Sequence, residues 1–400
     1  MNIGNERRIF LDVNDLTYLI KSVSNVKKNY YKSISIGTNS SHINFLRRSE
    51  FQYDVEELSS SEKVFKLYSK ESKLIDSFVF PFYPNTTQFS SSLTKNKSKL
   101  EAHFHKYNFS TTYSSVYDFD QVEKAKSDFI SINSNNGAVI KPLNSSLGKG
   151  VFVNVPIERF NENWQYSKDD LSVSEKRNEE DLKLIVQNYI PGFEARATIL
   201  QGTLVSIIAR IPPYIIGDGK NTINKLISFK NKERKKCNYL TKHPIKVTNK
   251  ITEFLAANNK NVNYIPQNGE YVLLSSVSNI VGGGEIINIT DKVSDNVKEF
   301  ALDVLASIPG IYSGGLDLIL NSFNDKNPHI LEVNTYPVIS LTKYPTYGSP
   351  SNPSKILFES LVAQYQIGRK DEEKYDIPAS DMYIKNFLEF TKRRLKFEIQ

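Results

Sequence analysis

The 400-residue sequence has one cysteine, Cys237, and no run of apolar residues long enough to cross a membrane. A single thiol cannot form an internal disulfide, and it cannot supply the several thiolates of common structural zinc sites. The longest apolar stretch, residues 204–216, contains an arginine and two prolines and is far shorter than the roughly 20 residues of a transmembrane helix. The first residues carry charges where a signal peptide needs its apolar core. We therefore expect a cytoplasmic protein with no membrane partner.

Histidine is also sparse, and the net charge is only mildly basic. Five scattered histidines predict no catalytic pair, and 51 basic against 44 acidic residues give a net charge of +7. The densest basic run, residues 220–236, predicts a solvated helix with its basic turn at the C-terminal end, where cations interact favourably with the helix dipole. A polyanion-binding patch is the alternative that this run leaves open. A nucleic-acid partner is not expected.

Apolar periodicity predicts an α+β chain with antiparallel sheet and no βαβ series. Helices are predicted over residues 97–108, 115–130, 295–308 and 381–400, and within the charged stretch 162–183. Strands are predicted over residues 184–190, over residues 195–212 with a Gln201-Gly202 turn, and in a hairpin of residues 315–320 and 329–334.

A glycine-rich segment, "NSSLGKGVFV" over residues 144–153, raises the question of phosphate binding. It lacks the first glycine of a P-loop and the Ser or Thr that follows the P-loop lysine. Strand-like residues follow the glycines, which also excludes a dinucleotide fingerprint. The pattern predicts a hairpin whose backbone N–H groups can cover phosphates, and a tight turn without a ligand is the alternative.

Carboxylates stand inside two otherwise apolar strands. Asp317 lies in the first strand of the predicted 315–334 hairpin, and Glu332 and Asn334 lie two residues apart in the second, on one face of the strand. Two carboxylates and an amide oxygen suit Mg²⁺. The alternative is a pair of strand-end carboxylates, each satisfied by a nearby lysine or backbone N–H, because an unpaired buried carboxylate is costly.

Several fragments follow one another in a fixed order that is similar to one enzyme family. They are "NK" (96–97), "AVIKPLNSSLGKGVFV", "IVQNYIPGFEARATIL", "IIARIPPYIIGDGKNTINKLI", "SNIVGGGEIINITDKV", "GGLDLIL" and "ILEVNTYPVISLTKYPTYG". Over residues 94–350 the sequence resembles the ATP-grasp carboxylate–amine ligases, above all the ATP-grasp portion of cyanophycin synthetases and bifunctional glutathione synthetases. The resemblance implies an ATP-grasp fold, in which two α+β subdomains clasp ATP, preceded by an N-terminal pre-ATP-grasp α/β domain.

The resemblance also implies a role for individual residues. Lys97 and Lys141 would contact the ATP phosphates, and the lid formed by Ser145, Gly148, Lys149 and Gly150 would cover them. The hinge Gln187, Asn188, Tyr189 and Ile190 would bind adenine through main-chain atoms, and Glu194 would bind the ribose. Family members commonly have Glu in place of Gln187. Asp317, Glu332 and Asn334 would hold two Mg²⁺ ions.

The implied catalytic residues are Arg210, Lys141 and Asn334, and the implied substrate residues are Arg196, Arg210, Asn279, Gly283 and Gly284. In the related D-alanine–D-alanine ligases an arginine stands where this chain has Gly315, so Arg210 is the first candidate to stabilise the tetrahedral intermediate and Arg196 the second. The alternative for Arg210 is a structural ion pair. The resemblance places the loop over residues 278–286 in the substrate pocket, and the alternative is a flexible bulge. Many relatives have glycine where this chain has Val338. By resemblance this segment lies near the acceptor site, so the identity of the acceptor substrate stays open.

The implied activity joins an amino acid or peptide carboxylate to an amine through an acyl phosphate, with ADP and phosphate as products. Alternatives are a non-amine acceptor, a phosphotransferase and a non-catalytic scaffold that binds nucleotide. The expected boundaries are a pre-ATP-grasp domain (1–93), an N-subdomain with the lid (94–185), a C-subdomain with the metal site (186–360) and a basic helical segment (361–400). The sequence leaves a homo-oligomer open.

Overall fold

The computed structural model describes residues 13–35, 37–59, 62–132, 137–143, 150–172, 183–275 and 278–398. The chain forms two compact units, each built from three separate segments. The first unit comprises Met1–Tyr30, Thr111–Glu194 and Arg210–Ile287, and the second comprises Tyr31–Ser110, Ala195–Ala209 and Asn288–Gln400. These units join segments that the sequence-based boundaries keep apart, and those boundaries stay a prediction.

The α-helices follow in chain order: α1 (Val13–Lys21), α2 (Thr38–Leu46), α3 (Gln88–Lys95), α4 (Lys97–Lys106), α5 (Val122–Ile132), α6 (Phe160–Ser172), α7 (Ile223–Arg234), α8 (Asn238–Thr241), α9 (Asn249–Ala257), α10 (Asp295–Ser307), α11 (Ser340–Lys343), α12 (Pro353–Tyr365) and α13 (Ser380–Glu398). None of the helices in the described ranges has the length and apolar character that a bilayer-spanning helix requires.

The strands are β1 (Gln52–Glu57), β2 (Lys63–Tyr68), β3 (Leu74–Phe80), β4 (Ser114–Asp118), β5 (Ala138–Pro142), β6 (Phe152–Val155), β7 (Lys183–Asn188), β8 (Phe193–Leu200), β9 (Thr203–Ile211), β10 (Tyr214–Ile216), β11 (Tyr271–Leu273), β12 (Glu285–Asn288), β13 (Gly314–Leu320) and β14 (His329–Asn334). They form sheets of order β1-β2-β3, β10-β11, β4-β7-β5-β6 and β12-β9-β8-β13-β14.

In the first unit, the sheet β4-β7-β5-β6 packs against α5 and α6 around a core that includes Phe160 and Trp164. The helix predicted over residues 115–130 is wrong in its first part, because Ser114–Asp118 is a strand that pairs with β7. Tyr117 is buried between the exposed Val116 and Asp118, as in a strand with one face on a core. The helix α5 begins only at Val122.

A second core of the first unit lies around α7, α9 and the β10-β11 pair, with Ile223, Leu226 and Leu255 buried in it. Thr222 caps α7 by accepting a hydrogen bond from the Lys225 N–H, which satisfies one of the free donors at a helix start. The helix predicted in residues 220–236 is thus confirmed.

In the second unit, β8 and β9 form the predicted antiparallel hairpin, from Ala195 opposite Ala209 to Leu200 opposite Thr203. Gln201 and Gly202 connect them with φ of 48° and 73°, the backbone twist that two-residue hairpin turns favour. The hairpin of β13 and β14 is confirmed as well.

Helices α10, α12 and α13 cover the rest of the second unit. The 295–308 helix is confirmed as α10, in which Val297, Ala301, Val304 and Leu305 form a buried stripe with helical spacing. Helix α13 contacts α10 and α12 and buries Tyr383 and Phe390, so the C-terminal amphipathic helix packs on the unit as predicted. The sheet β1-β2-β3 shares a core with α2 and α12.

Candidate functional site

The hairpin of β13 and β14 brings together the predicted metal ligands of the second unit. Asp317 lies directly opposite Glu332, and Gly315 lies opposite Asn334. Directly opposed residues of an antiparallel pair project from the same face of the sheet. The Asn334 amide Nδ2 donates a hydrogen bond of 3.1 Å to Glu332 Oε1. The three predicted ligands therefore share one face.

A buried arginine completes this group. Arg196, on the adjacent strand β8, donates from Nε to Asp317 Oδ1 at 2.5 Å and from Nη2 to Asp317 Oδ2 at 2.6 Å. Its Nη2 also lies 4.0 Å from Glu332 Oε1. Arg196 and Asp317 are both buried, whereas the Glu332 side chain is 55% exposed. A paired fork of this kind fixes the Asp317 carboxylate in direction as well as in charge.

The donor set fits a hard divalent cation such as Mg²⁺. It offers two carboxylates and one amide oxygen, and hard oxygen ligands are those that Mg²⁺ binds. Each Asp317 oxygen has a second lone pair beyond the one used by Arg196. No cluster of three or more His, Cys, Asp or Glu side chains suited to a metal occurs in the described residues, so Asn334 is needed as the third ligand.

The structure shows why Gly315 has no side chain. A Cβ at Gly315 would lie 2.7 Å from Pro337 Cβ and 3.7 Å from Arg196 Cδ. An arginine therefore has no room at this position, and the guanidinium beside Asp317 comes from Arg196 on the neighbouring strand. Sequence reasoning ranked Arg196 second because the distance across the sheet is not visible in the sequence.

Lys97 is the first residue of α4, in the second unit. Its Nζ lies 3.8 Å from Glu101 Oε1, one turn further along the helix. Asn96 caps the helix by accepting a hydrogen bond of 3.0 Å from the Lys99 N–H. Lys97, the predicted phosphate contact, thus lies at a helix N-terminus, where the helix dipole also favours negative charge.

The first unit contains Lys141 and the described part of the glycine segment. Lys141 lies on β5, half-buried and opposite Ile185 of β7. Strands β5 and β6 pair antiparallel on the two sides of the segment, which confirms the predicted hairpin strands. Ser145, Gly148 and Lys149 lie outside the described residues. Gly150 is buried with φ of 67°, and a Cβ there would lie 2.8 Å from Pro142 Cγ.

The predicted adenine hinge lies at the end of β7. The Asn188 N–H donates to Tyr113 O at 3.3 Å, and the Tyr189 N–H donates to Gly137 O at 3.1 Å. These two main-chain donors are therefore used within the protein. The Ile190 N–H donates to no acceptor in the described residues.

Glu194 and Arg210 form an ion pair in the first unit, with 3.1 Å between Glu194 Oε2 and Arg210 Nη2. Both side chains keep some exposure, 39% for Glu194 and 22% for Arg210. The structure thus contains the ion pair that was the alternative for Arg210. A carboxylate held in this way can still accept hydrogen bonds at its second oxygen.

The glycine-rich loop over residues 278–286 folds on itself. The Asn279 side chain accepts from the Val281 N–H at 2.9 Å, and its main-chain O accepts from the Gly284 N–H at 2.9 Å. Gly283 has φ of 103°, and a Cβ there would lie 2.6 Å from Ile245 Cγ1. At Gly284 a Cβ would lie 2.6 Å from Ile211 O. The glycines are therefore required by close packing.

Two curated proteins and one crystal structure are similar to this chain. The glutathione biosynthesis bifunctional protein GshAB of Clostridium perfringens is 31% identical over 251 residues, which cover 61% of this chain and 31% of that protein. The cyanophycin synthetase of Synechocystis sp. is 28% identical over 256 residues, covering 61% and 27%. The crystal structure of a bifunctional glutathione synthetase from Pasteurella multocida aligns with a TM-score of 0.52 at 17% identity, over 81% of this chain and 43% of that one.

The chain has the ATP-grasp fold and is related to the ATP-grasp ligases. The resemblance and the α+β fold class predicted from the sequence are thereby confirmed. The chain spans less than a third of the length of these two curated relatives. No protein-family model matches it.

One polar cluster in the first unit was missed by sequence reasoning. Glu285 is buried and lies 3.1 Å from Lys28 Nζ, 3.3 Å from Lys230 Nζ and 3.5 Å from Arg234 Nη1. Arg234 also donates to Gly284 O at 3.0 Å, so the cluster anchors the glycine-rich loop. The 220–236 helix is therefore not simply solvated, since Lys230 and the buried Arg234 both pair with Glu285.

The charges of this cluster shift the pKa values of its members. Burial alone would raise the pKa of Glu285, but the charges of Lys230, Lys28 and Arg234 outweigh burial and hold the pKa at about 2. Burial lowers the pKa of Lys230 to about 8, because the attraction of Glu285 offsets burial only in part while Lys28 and Arg234 repel the ammonium. An acidic residue after three glycines was the available signal, but its partners are far away in sequence.

Proposed function

We propose that the chain is an ATP-dependent carboxylate–amine ligase that forms an amide bond through an acyl phosphate and releases ADP and phosphate. The observation that carries this proposal is the shared sheet face of Asp317, Glu332 and Asn334, with Arg196 paired to Asp317. Two carboxylates and an amide suit Mg²⁺, which would stabilise charge on a transferring phosphoryl group, and a fixed guanidinium suits the oxyanion that forms on the acyl oxygen. The named activities of the relatives support the same class of reaction.

In this proposal the first unit supplies the nucleotide contacts. Ile190 N–H and the neighbouring hinge carbonyls bind adenine, and Glu194 accepts the ribose hydroxyls while Arg210 holds its orientation. Lys141 and the lid residues Ser145, Gly148, Lys149 and Gly150 bind phosphate oxygens. A lysine ammonium is a compact charge suited to this task.

The second unit supplies the electrostatics of the transfer. Asp317, Glu332 and Asn334 would hold Mg²⁺, two ions in our proposal, which when bound neutralise charge on the phosphates. Lys97 binds a phosphate oxygen. A substrate carboxylate oxygen attacks the γ-phosphorus, the bond to the β,γ-bridging oxygen breaks, and ADP leaves. The amine then attacks the acyl carbon, a proton is lost from nitrogen, and phosphate leaves.

Arg196 is our candidate to stabilise the tetrahedral intermediate, in place of Arg210. Its guanidinium is fixed on Asp317 by two parallel hydrogen bonds. It would take the role of the arginine that related ligases have at the position of Gly315, where this chain has no room for a side chain. The oxyanion that forms when the amine attacks needs a preorganised cation.

The substrates are an amino acid or peptide carboxylate and an amine, and the loop with Asn279, Gly283 and Gly284 contributes to their pocket. The division into domains at residues 93, 185 and 360, a homo-oligomeric state and a cytoplasmic location remain parts of the proposal that come from the sequence.

The test is nucleotide product analysis of the purified protein with ATP and Mg²⁺, against pools of amino acids and dipeptides. We expect ADP and phosphate only when a carboxylate and an amine are both present. Glu332→Gln should lower turnover by about 100-fold, the scale of losing one electrostatic contact to the transition state. Glu270→Gln is the matched control, because Glu270 has no role in the proposal and, like Glu332, is a carboxylate with a basic partner, Lys260.

Release of AMP and pyrophosphate would show adenylate chemistry and contradict the proposal. A phosphorylated carboxylate that accumulates as the final product would favour a phosphotransferase. ATP binding without turnover in any pool would favour the non-catalytic scaffold.

A further inference from the structure

A groove of about 870 Å³ opens in the second unit, on residues to which the proposed ligase function assigns no role. One wall is the strand β3, the other is the helix α3, and residues 82–87 form the floor between them. Its volume is within the range of small-ligand sites. The groove therefore has room for several residues of an extended peptide.

The wall formed by β3 is an open sheet edge. In the sheet β1-β2-β3, the strand β3 pairs with β2 on one side and with no described strand on the other. Asp76, Ser77, Phe78 and Val79 are consecutive and all line the groove. Since successive side chains of a strand point to opposite faces, four consecutive residues can line one groove only where the strand presents its edge to it.

The two edges of this sheet differ in how they are protected. Sheet edges that must not pair usually carry charges or proline. The edge strand β1 has Asp54, Glu56 and Glu57, all paired with lysines of β2. The strand β3 has one charge, Asp76, and exposes Leu74 and Val79. Its edge is thus suited to accept another strand.

The wall formed by α3 presents one polar helix face. Gln88, Ser91, Ser92 and Lys95 line the groove, and their spacing of three and four residues puts them on the same side of the helix. The side chains of Gln88, Ser92 and Lys95 make no hydrogen bond or ion pair to any residue that the structure describes. They are available to a ligand.

We propose that this groove binds a short extended peptide with free termini, which adds to β3 as a fourth strand. The main chain of the peptide pairs with the β3 edge, as in other cases of strand addition. Asp76 and Lys95 supply one charge of each sign for the peptide ammonium and carboxylate. Val79 and Phe82, 41% and 38% exposed, contact an apolar peptide side chain.

The charges and lining exclude other common ligands. A nucleotide or phosphate site needs several donors or cations converging on one anion, and the groove has a single lysine. A lipid site needs largely apolar walls, whereas α3 contributes hydroxyls, an amide and an ammonium. A zwitterionic chain with a hydrogen-bonding backbone is the ligand that matches every wall.

The groove also ends next to a residue of the proposed ligase. Asn96 lines it and caps α4, whose first residue is Lys97. If the chain is a ligase, the bound peptide is one of its two substrates. That step rests on the proposed function, while peptide binding itself does not.

The test is affinity selection with mass spectrometry, using the full chain without nucleotide and a soluble pool of random hexapeptides with free ends. We expect enriched peptides whose binding is lost in Ser92→Trp, which fills the groove from an exposed position. Lys95→Glu should weaken the same peptides at least 10-fold and leave their C-terminal amides unaffected. Ser127→Trp and Lys124→Glu, at exposed positions of α5 in the first unit, are matched controls and should bind as the unchanged protein does.

Hydrogen exchange of the complex tests the strand addition. An enriched peptide should slow exchange of amides in β3 and leave those of the other edge strand, β1, unchanged. No enrichment over Ser92→Trp, or equal protection of both edges, would overturn the proposal. Because no ATP is used, a failure here is distinguishable from a failure of the ligase reaction.

Discussion

The pairing of Arg196 with Asp317 is the residue-scale feature on which the proposed chemistry depends. Removing one partner of a buried ion pair leaves an uncompensated charge, which typically costs about 3–5 kcal/mol of folding free energy. A positively charged replacement is therefore the informative one, because it retains the charge and removes the fork geometry. The second arginine, Arg210, provides the comparison.

Arg196→Lys should lower kcat by about 100-fold with a small change in the KM for ATP, since the fixed guanidinium acts only when charge develops on the acyl group. Arg210→Lys should mainly raise the KM for ATP, because it loosens Glu194. Steady-state kinetics of both variants measures the two constants. If Arg196→Lys changed only KM, or if Arg210→Lys lowered kcat more than Arg196→Lys does, the assignment would be wrong.

The cluster around Glu285 predicts a pH dependence of stability. The pKa of Lys230 is about 8 in the folded chain, against about 10.4 for an unperturbed lysine. Between these values the unfolded chain holds a proton that the folded chain has released, so the free energy of unfolding rises with pH. Lys230 raises the free energy of unfolding by roughly 3 kcal/mol in total, and this rise is complete above the pKa of lysine in the unfolded chain.

Urea unfolding at a series of pH values from 7 to 10.5 measures this contribution. Lys230→Met should remove the rise relative to the unchanged chain. The control is Lys232→Met, an exposed lysine of the same helix, which should keep it. Equal slopes for Lys230→Met and the unchanged chain would show that Lys230 keeps an ordinary pKa in the folded chain.

At the scale of elements, prediction from sequence succeeded where the signal is local. The apolar stripe of α10 and the Gln201-Gly202 turn between β8 and β9 are each set by local sequence, and both were predicted. Residues 115–118 were assigned to a helix because aromatic and polar residues alternate there over too short a span to distinguish the two periods. Pairing with β7, which lies far along the chain, decides in favour of the strand.

In the candidate site, too, contacts within one local segment were predicted and contacts between distant segments were missed. The hairpin that brings Asp317 to Glu332 is a local feature and was predicted. The partner of Asp317 and the cations around Glu285 come from distant segments, and a single sequence has no signal for such contacts. The family resemblance supplied the roles of the remaining residues, which stay predictions.

The glycine-rich loop gives a prediction at this scale. Gly283→Ala should reduce the free energy of unfolding by about 1–2 kcal/mol for the left-handed backbone, with a further ~1–3 kcal/mol for the clash with Ile245. Gly269→Ala is the control, since Gly269 also has positive φ, 81°, but a Cβ there meets no atom within 4 Å. Chemical denaturation compares the two variants. Equal losses would mean that the close contact with Ile245 carries no cost.

At the scale of the whole molecule, the proposed function gives the two units different tasks. The hinge residues and the anchored glycine-rich loop belong to the first unit, and the carboxylates, Arg196 and the groove beside β3 belong to the second. Each unit is built from three separate segments of the chain, so neither can be expressed as one continuous piece. Experiments on function therefore require the full chain.

The proposed function depends above all on the activation of a carboxylate by phosphoryl transfer from ATP. The most direct measurement uses the carboxylate substrate labelled with ¹⁸O, together with ATP, Mg²⁺ and the amine, followed by mass spectrometry of the products. We expect one labelled oxygen in the released phosphate and none in the nucleotide, because the carboxylate oxygen stays on phosphorus when the amide forms. Label found in AMP, or amide formed with unlabelled phosphate, would contradict it.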